Sequence, residues 1–85
     1  MKKFPPKKEL MDAILVVLQE KGTIMTTAEI NAAVAKQLGL SEELLTMEDA
    51  NCTGTEYSYR MRWARTELKQ KGFISNIKRG LWNLN

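Results

Sequence analysis

The chain of 85 residues contains no histidine and only one cysteine, Cys52. A structural zinc site draws its ligands mainly from these two residue types, so no metal site is expected. One cysteine cannot form a disulfide within the chain, which is typical of proteins from a reducing compartment such as the cytoplasm. The chain also lacks a glycine-rich phosphate-binding loop and a histidine base, so we expect neither a cofactor nor catalysis.

Long hydrophobic runs are missing as well. Residues 10–18 form an apolar run that is interrupted by Asp12, follows two prolines and lacks a cleavage site of small residues. A helix that spans a bilayer needs about 20 consecutive apolar residues. We therefore interpret the run as a core helix, and we expect no membrane partner.

Positive charge is scarce in the middle of the chain. Residues 1–8 carry four lysines and no acid, residues 9–54 carry two bases against eight acids, and residues 55–85 carry seven bases against two acids. The sum is the net charge of +3. Since the positive charge is concentrated at the two ends, the pattern predicts a polyanionic partner that meets one part of the fold.

The spacing of apolar and turn residues predicts one domain, residues 1–85, with a basic and flexible lead-in at residues 1–8. A first helix is expected over residues 7–21 and ends at Gly22. A short edge strand is expected at residues 23–25.

A second helix follows directly. Thr26 to Glu29 matches a capping box, in which a threonine hydroxyl and the glutamate carboxylate both bond to backbone N–H groups. The helix is expected to reach Leu38, and Ser41 is expected to cap a further short turn. Residues 47–55 are predicted to be irregular.

A third helix is predicted from about residue 55 to residue 71, and at 100° per residue its apolar side chains form one inward stripe. That stripe contains Tyr57, Met61, Ala64 and Leu68. The opposite side is polar and cationic. It contains Ser58, Arg62, Arg65, Thr66 and Lys69, with Tyr59 at its edge. Such a face suits a DNA groove, because arginine matches guanine edges and phosphates. The alternative is a solvated amphipathic helix.

Two aromatic residues and one arginine lie off that polar face. We predict structural roles for them, with Trp63 packing laterally, Trp82 packing against the third helix and Arg60 pairing with Glu56 or Glu67.

The chain ends in two short β-prone runs, residues 73–74 and 81–84. Gly80 helps the chain to turn back, and the predicted loop carries Lys78 and Arg79 at its tip. Three helices and a hairpin with a cationic tip are the order of a winged helix-turn-helix. This fold is α+β and mostly α, and here it has three main helices, a wing and a short third strand. Its third helix enters the major groove, and its wing contacts adjacent backbone or minor groove.

The third helix and the wing share a sequence pattern: R-x-x-W-A, a leucine four residues after the alanine, a glycine that closes the helix, and R-G-x-W. The pattern falls on Arg60, Trp63, Ala64, Leu68, Gly72, Arg79, Gly80 and Trp82. In these residues the chain resembles the amino-terminal domain of Mrr-type restriction proteins. The earlier helices and the L-G-L-S of residues 38–41 are also similar, so the resemblance spans nearly the whole chain.

The resemblance implies a winged helix that binds DNA in a bacterial or phage restriction system. In those proteins a carboxy-terminal nuclease, which cuts DNA bearing modified bases, is joined to this domain. The sequence stops at Asn85, directly after the wing, so we expect the nuclease half to be absent. We therefore expect DNA binding without cleavage, from either a stand-alone relative or a piece of a longer protein.

One triplet invites an enzymatic interpretation. Glu67-Leu68-Lys69 matches the E-x-K half of a nuclease metal motif. In such nucleases the two polar residues lie on strands and an upstream aspartate shares the Mg²⁺, whereas here a helix is predicted. We interpret the match as chance and expect no enzyme activity.

Two functions remain open. The first is binding of double-stranded DNA, aided by a nuclease or other partner domain or by homodimer formation, because one module of this size binds DNA modestly. The residues predicted to contact DNA are Ser58, Tyr59, Arg62, Arg65, Thr66, Lys69, Lys78 and Arg79. The second is a protein-interaction or dimerisation winged helix that makes no direct DNA contact.

Overall fold

In the part of the chain that the structure describes, four helices lead to a small carboxy-terminal sheet. The computed structural model describes residues 4–47 and 54–85. The helices are α1 (Lys7–Lys21), α2 (Thr27–Leu38), α3 (Glu42–Thr46) and α4 (Glu56–Gln70). The strands are β1 (Met25–Thr26), β2 (Ile74–Lys78) and β3 (Leu81–Leu84). This order confirms the predicted α+β winged-helix architecture, including the short third strand.

Helix α1 has the predicted bounds. It begins directly after Pro6, whose fixed φ and missing N–H suit the start of a helix. Gly22 ends it in the left-handed conformation, at a φ of 69°, and donates its N–H to the carbonyl of Leu18. The helix buries one apolar side against the core. The buried residues are Leu10, Met11, Ala13, Ile14, Val17 and Leu18.

Helix α2 begins with the predicted capping box. The hydroxyl of Thr26 accepts the N–H of Glu29 at 3.1 Å, and the Glu29 carboxylate accepts the N–H of Thr26 at 2.9 Å. The bond from the Thr26 backbone holds the pKa of Glu29 below its ordinary value, because it stabilises the charged form. Ser41, the predicted cap of α3, accepts the N–H of Leu44 at 3.3 Å.

Helix α4 carries the predicted inward stripe, and all four of its members are buried. These are Tyr57, Met61, Ala64 and Leu68. They belong to one hydrophobic cluster that also contains the buried sides of α1 and α2 and Ile74 from β2. Burial of this stripe fixes which side of α4 faces outward.

Strand β3 lies in the middle of the sheet and pairs antiparallel with both β1 and β2. Met25 of β1 lies opposite Trp82, and Thr26 lies opposite Leu81. Because Thr26 is both the end of β1 and the cap of α2, this pairing attaches the amino end of α2 to the hairpin.

Two strand boundaries differ from the prediction. The short strand expected at residues 23–25 lies at Met25–Thr26. Strand β2 continues to Lys78, so only Arg79 and Gly80 form the turn. Lys78 is therefore not at a loop tip but at the end of a strand, because pairing with β3 satisfies the backbone there.

Some predicted features lie outside the described residues. They are the first three residues of the lead-in and, from the stretch predicted to be irregular, residues 48–53 with Cys52. Within residues 4–47 and 54–85, no helix is long and apolar enough to cross a membrane.

Replacing Thr26 with alanine removes the hydroxyl that caps α2, so the free energy of unfolding should fall by about 1 kcal/mol. For a domain of this size the melting temperature should drop by roughly 4–8 °C, measurable by circular dichroism. Thr23→Ala is the matched control, because it removes an exposed threonine outside the capping box. Equal losses in the two variants would contradict the capping role.

Candidate nucleic-acid interface

The outer side of α4 next to α2 presents a polar stripe. Ser58, Arg62, Arg65 and Lys69 recur at intervals of four, three and four residues, which places them along one line on the helix. Ser58, Arg62 and Lys69 are exposed, as predicted. The Ser58 hydroxyl accepts a bond from the Thr55 hydroxyl at 2.9 Å, so its own hydrogen remains available to donate.

Two further predicted residues lie on the solvent side of the same helix. Tyr59 is exposed, and Thr66 is half-buried. The Thr66 hydroxyl donates to the carbonyl of Arg62 at 2.9 Å, so its hydrogen is used within the helix. The Thr66 hydroxyl can therefore act mainly as a hydrogen-bond acceptor toward a ligand. A phosphate also carries acceptors, so the two groups do not match.

The sequence predicts that Arg65 lies on the exposed polar side of α4, and this prediction is wrong. Its side chain is 7% exposed and lies between α2 and β3. Nη1 donates to the side-chain oxygen of Asn31 at 2.7 Å, and the guanidinium carbon lies 5.5 Å from the centre of the Trp82 ring. Arg65 therefore joins three elements instead of facing solvent.

Helical geometry accounts for this difference. At 100° per residue, Arg65 lies only about 70° from the middle of the apolar stripe, the smallest angle of any predicted contact residue on α4. A long side chain at that angle points outward or tucks inward according to its neighbours. Asn31 and Trp82 supply a hydrogen-bond acceptor and a ring face there, so the guanidinium packs inward.

The surroundings of Arg65 form a small polar junction. Tyr57 donates its hydroxyl to the backbone carbonyl of Asn31 at 2.5 Å, and burial raises the pKa of the Tyr57 phenol to about 12. Burial lowers the pKa of Arg65, although a guanidinium remains charged at neutral pH. The Arg65 Nε is buried without a hydrogen-bond partner among the described residues.

The wing is bonded to the amino end of α2. Thr27 donates its N–H to the carbonyl of Gly80 at 3.0 Å, and its hydroxyl accepts the indole N–H of Trp82 at 2.9 Å. Trp82 is half-buried and packs on the core, as predicted. With Arg65 on its ring, Trp82 connects the wing to both α2 and α4, so the three elements keep fixed relative positions.

Asn76 gives the end of the wing a defined shape. Its amide nitrogen donates to the carbonyls of Lys78 and Leu81 at 2.7 and 2.9 Å, across the turn. Gly80 has a φ of 79°, a conformation that favours glycine. Lys78 and Arg79 are both exposed. The sequence carried no signal for the roles of Asn31, Thr27 or Asn76, because each depends on a partner from another element or across the turn.

Paired cations lie on the other flank of α4. Arg60 Nε donates to Glu56 at 2.9 Å, as predicted, and Lys7 contacts Glu67 at 2.7 Å. The bond from Lys7 holds the pKa of Glu67 below its ordinary value. Lys71 also approaches Glu67, at 3.6 Å. These two glutamates offset most of the positive charge of the three cations on this flank.

The cations of the polar stripe and the wing differ from those of the flank in their pairing with carboxylates. Within residues 4–47 and 54–85, no carboxylate pairs with Arg62, Lys69, Lys78 or Arg79. Free cationic and hydroxyl groups therefore lie on α4 and on the wing, which the Arg65 junction holds together.

Trp63 departs from its predicted role. Its ring meets Tyr59 edge-on at a centroid distance of 6.2 Å, but 51% of the residue is exposed. It therefore packs laterally only in part, against Tyr59. The guanidinium carbon of Arg60 lies 5.0 Å from the centre of the Phe4 ring, so this cation stacks on Phe4 and not on Trp63.

The E-x-K triplet lies within α4, with Leu68 buried between its two polar residues. The Glu67 carboxylate forms ion pairs with Lys7 and Lys71. Among the described residues, no group of three or more histidine, cysteine, aspartate or glutamate side chains could hold a metal ion.

Helices α2 to α4 are followed by a hairpin that packs beside α4 and completes a three-stranded sheet. This arrangement defines a winged helix-turn-helix. A family model described as the Mrr N-terminal domain matches residues 8–85. The chain therefore belongs to the Mrr N-terminal domain family, as its resemblance implied. Comparisons with curated proteins and with solved structures gave no significant match.

The two arginines of the polar stripe should respond differently to substitution. Arg65→Ala removes a buried, charged hydrogen-bond donor and should lower the free energy of unfolding by about 1.5–3 kcal/mol. Arg62→Ala removes an exposed side chain and should change it by less than about 0.5 kcal/mol. Urea denaturation measures both. Equal stability of the two variants would contradict the junction described for Arg65.

Proposed function

We propose that this domain binds double-stranded DNA, with α4 in the major groove and the wing on the neighbouring backbone. One observation carries the proposal: four exposed cations on α4 and the wing lack a carboxylate partner among the described residues. These are Arg62, Lys69, Lys78 and Arg79. Cations that neutralise phosphates supply most of the affinity of such modules.

The contacts on α4 follow from its side-chain chemistry. Arg62 can fork onto a guanine edge or a phosphate, and Lys69 can neutralise a phosphate about two turns further along the helix. Ser58 and Tyr59 can donate hydroxyl hydrogens. Thr66 faces the same side with an acceptor only, so we assign it the smallest role.

Arg65 has a different role in this proposal. Its guanidinium is buried against Asn31 and Trp82 and cannot reach DNA without breaking that junction. We assign it as a positioning residue, which sets the angle between α4 and the wing. The contact set predicted from the sequence is thereby reduced by one residue.

Family membership supports the proposal, because the resemblance to Mrr-type restriction proteins implies a DNA-recognition domain. In a restriction system such a domain would direct a partner nuclease to its site. The domain would then contribute binding, and cleavage would belong to the partner.

A salt series measures the number of phosphate contacts. If four cations neutralise four phosphates, the logarithm of the affinity for a short duplex should fall against the logarithm of the salt concentration with a slope of roughly −3.6. Arg62→Ala should reduce the slope by about one unit and weaken binding. Fluorescence anisotropy with a labelled duplex gives both quantities.

Lys21→Ala is the matched control for this experiment. Lys21 is exposed at the end of α1, outside the polar stripe and the wing, so its loss should leave affinity and slope nearly unchanged. Undetectable binding at low salt, or equal effects of the two substitutions, would contradict the proposed function.

A protein-binding function is the second candidate, and the exposed pair Tyr59 and Trp63 favours it. An exposed aromatic patch is a common feature of protein interfaces. The patch is bordered by the pairs Arg60–Glu56 and Lys7–Glu67, so it carries both signs of charge and can meet a second copy of itself.

Light scattering tests the second candidate. If the aromatic patch is the interface of a homodimer, wild-type protein should have twice the monomer mass and Trp63→Ala should be monomeric. Trp63 is half exposed, so this substitution should leave the fold intact, as judged by circular dichroism. A monomer at all concentrations would exclude the homodimer.

A further inference from the structure

The end of the wing carries an apolar side chain that the core does not use. Ile77 is 47% exposed and lies outside the hydrophobic cluster. Strand β2 is an edge strand of the sheet, and charged residues usually protect such edges from pairing with another chain. Its immediate neighbours toward the turn are the cations Lys78 and Arg79.

Strand pairing explains why Ile77 is exposed. Asn76 lies opposite Trp82, and Lys78 lies opposite Leu81, so the register shifts between Asn76 and Lys78. Ile77 is the extra residue of this bulge and has no partner on β3. Bulges bend a strand and redirect a side chain. The bulge therefore leaves an apolar side chain exposed at a position that directly precedes the two wing cations in the sequence.

This exposed tip is also preorganised. The Asn76 side chain bonds to the carbonyls of Lys78 and Leu81, on both sides of the turn. The carbonyl of Gly80 accepts the N–H of Thr27, which anchors the turn to α2. A ligand that meets Ile77 would thus meet a tip whose shape is already set, at little cost in conformational entropy.

We infer that Ile77 is the apolar contact residue of the wing, and that it packs against deoxyribose and base edges in the minor groove of duplex DNA. The inference rests on the proposed DNA binding and assigns a contact residue to it. Lys78 and Arg79 would hold the phosphates that border the groove. Proteins that contact this groove use cationic side chains and frequently add apolar ones, and its walls are sugars while its rims are phosphates.

The minor groove also suggests what the wing would discriminate. A G·C pair places the guanine 2-amino group in this groove, whereas an A·T pair leaves only acceptors there. An isoleucine cannot hydrogen-bond to the amino group and would be hindered by it. The wing should therefore favour A·T pairs at its contact, independently of any base contacts made by α4.

Salt dependence separates the apolar contact from the phosphate contacts. Ile77→Ala should weaken binding about three- to tenfold at every salt concentration, with an unchanged slope, because it removes apolar area and no charge. Lys78→Ala should instead reduce the slope by about one unit. Ile77→Leu, which keeps the apolar volume, should bind within about twofold of wild type. Since Ile77 is exposed, the melting temperatures should agree.

Base substitution locates the contact in the groove. Replacing G·C pairs by inosine·C pairs removes the 2-amino group and leaves the major-groove pattern unchanged. Wild-type protein and Lys78→Ala should bind the inosine duplex more tightly than the G·C duplex. Ile77→Ala should bind the two duplexes about equally.

The outcomes distinguish a failure of DNA binding as a whole from a failure of the wing contact alone. Wild-type protein that binds no duplex at low salt overturns DNA binding and the wing contact together. Wild-type protein that binds, with Ile77→Ala equal to it at all salt concentrations, overturns the wing contact alone. A preference for inosine that persists in Ile77→Ala also overturns it.

Discussion

The buried guanidinium of Arg65 is the interaction on which the geometry of this domain depends. Removing a charge from water is costly unless the charge gains hydrogen bonds or other favourable contacts. Here the side-chain oxygen of Asn31 and the ring face of Trp82 provide them. Because those residues lie on α2 and β3, the contacts that stabilise the cation also fix α4 relative to the wing. Arg65 is thus a positional constraint as well as a contributor to the stability of the fold.

Charge is sorted around α4 by the placement of two glutamates. Glu56 and Glu67 lie on the flank away from α2, and they pair with Arg60, Lys7 and Lys71. The positive potential of the helix is therefore concentrated on the opposite side, next to the wing. The same sorting leaves an aromatic patch that is bordered by charges of both signs on the flank. One helix thus presents two surfaces of different chemistry, and Tyr59 is the residue named for both candidate functions.

The wing shows how a short hairpin can have a defined shape. A two-residue turn, a glycine with positive φ, the amide of Asn76 and the bond from Thr27 to Gly80 all restrict its tip. The tip is also connected to Arg65 through Trp82. The proposed DNA binding requires a constant spacing between α4 and the wing, and this chain of contacts restricts that spacing.

Local patterns in the sequence determined most of the fold. The bounds of α1, the capping box of α2, the cap of α3 and the inward stripe of α4 each depend on residues within a few positions of one another. The pairing of Arg60 with Glu56 is equally local, one helical turn apart. The sequence pattern shared by α4 and the wing was sufficient to indicate the family. The match of the family model to residues 8–85 confirms it.

Only the tertiary structure decided what lies beside α4. Helical spacing places Arg65 near the border of the apolar stripe, but Asn31 is 34 positions away and Trp82 lies on another element. The extension of β2 to Lys78 and the exposure of Ile77 likewise depend on the register with β3. Side chains at such borders turn inward or outward according to neighbours that are distant in sequence, and the sequence by itself does not place those neighbours.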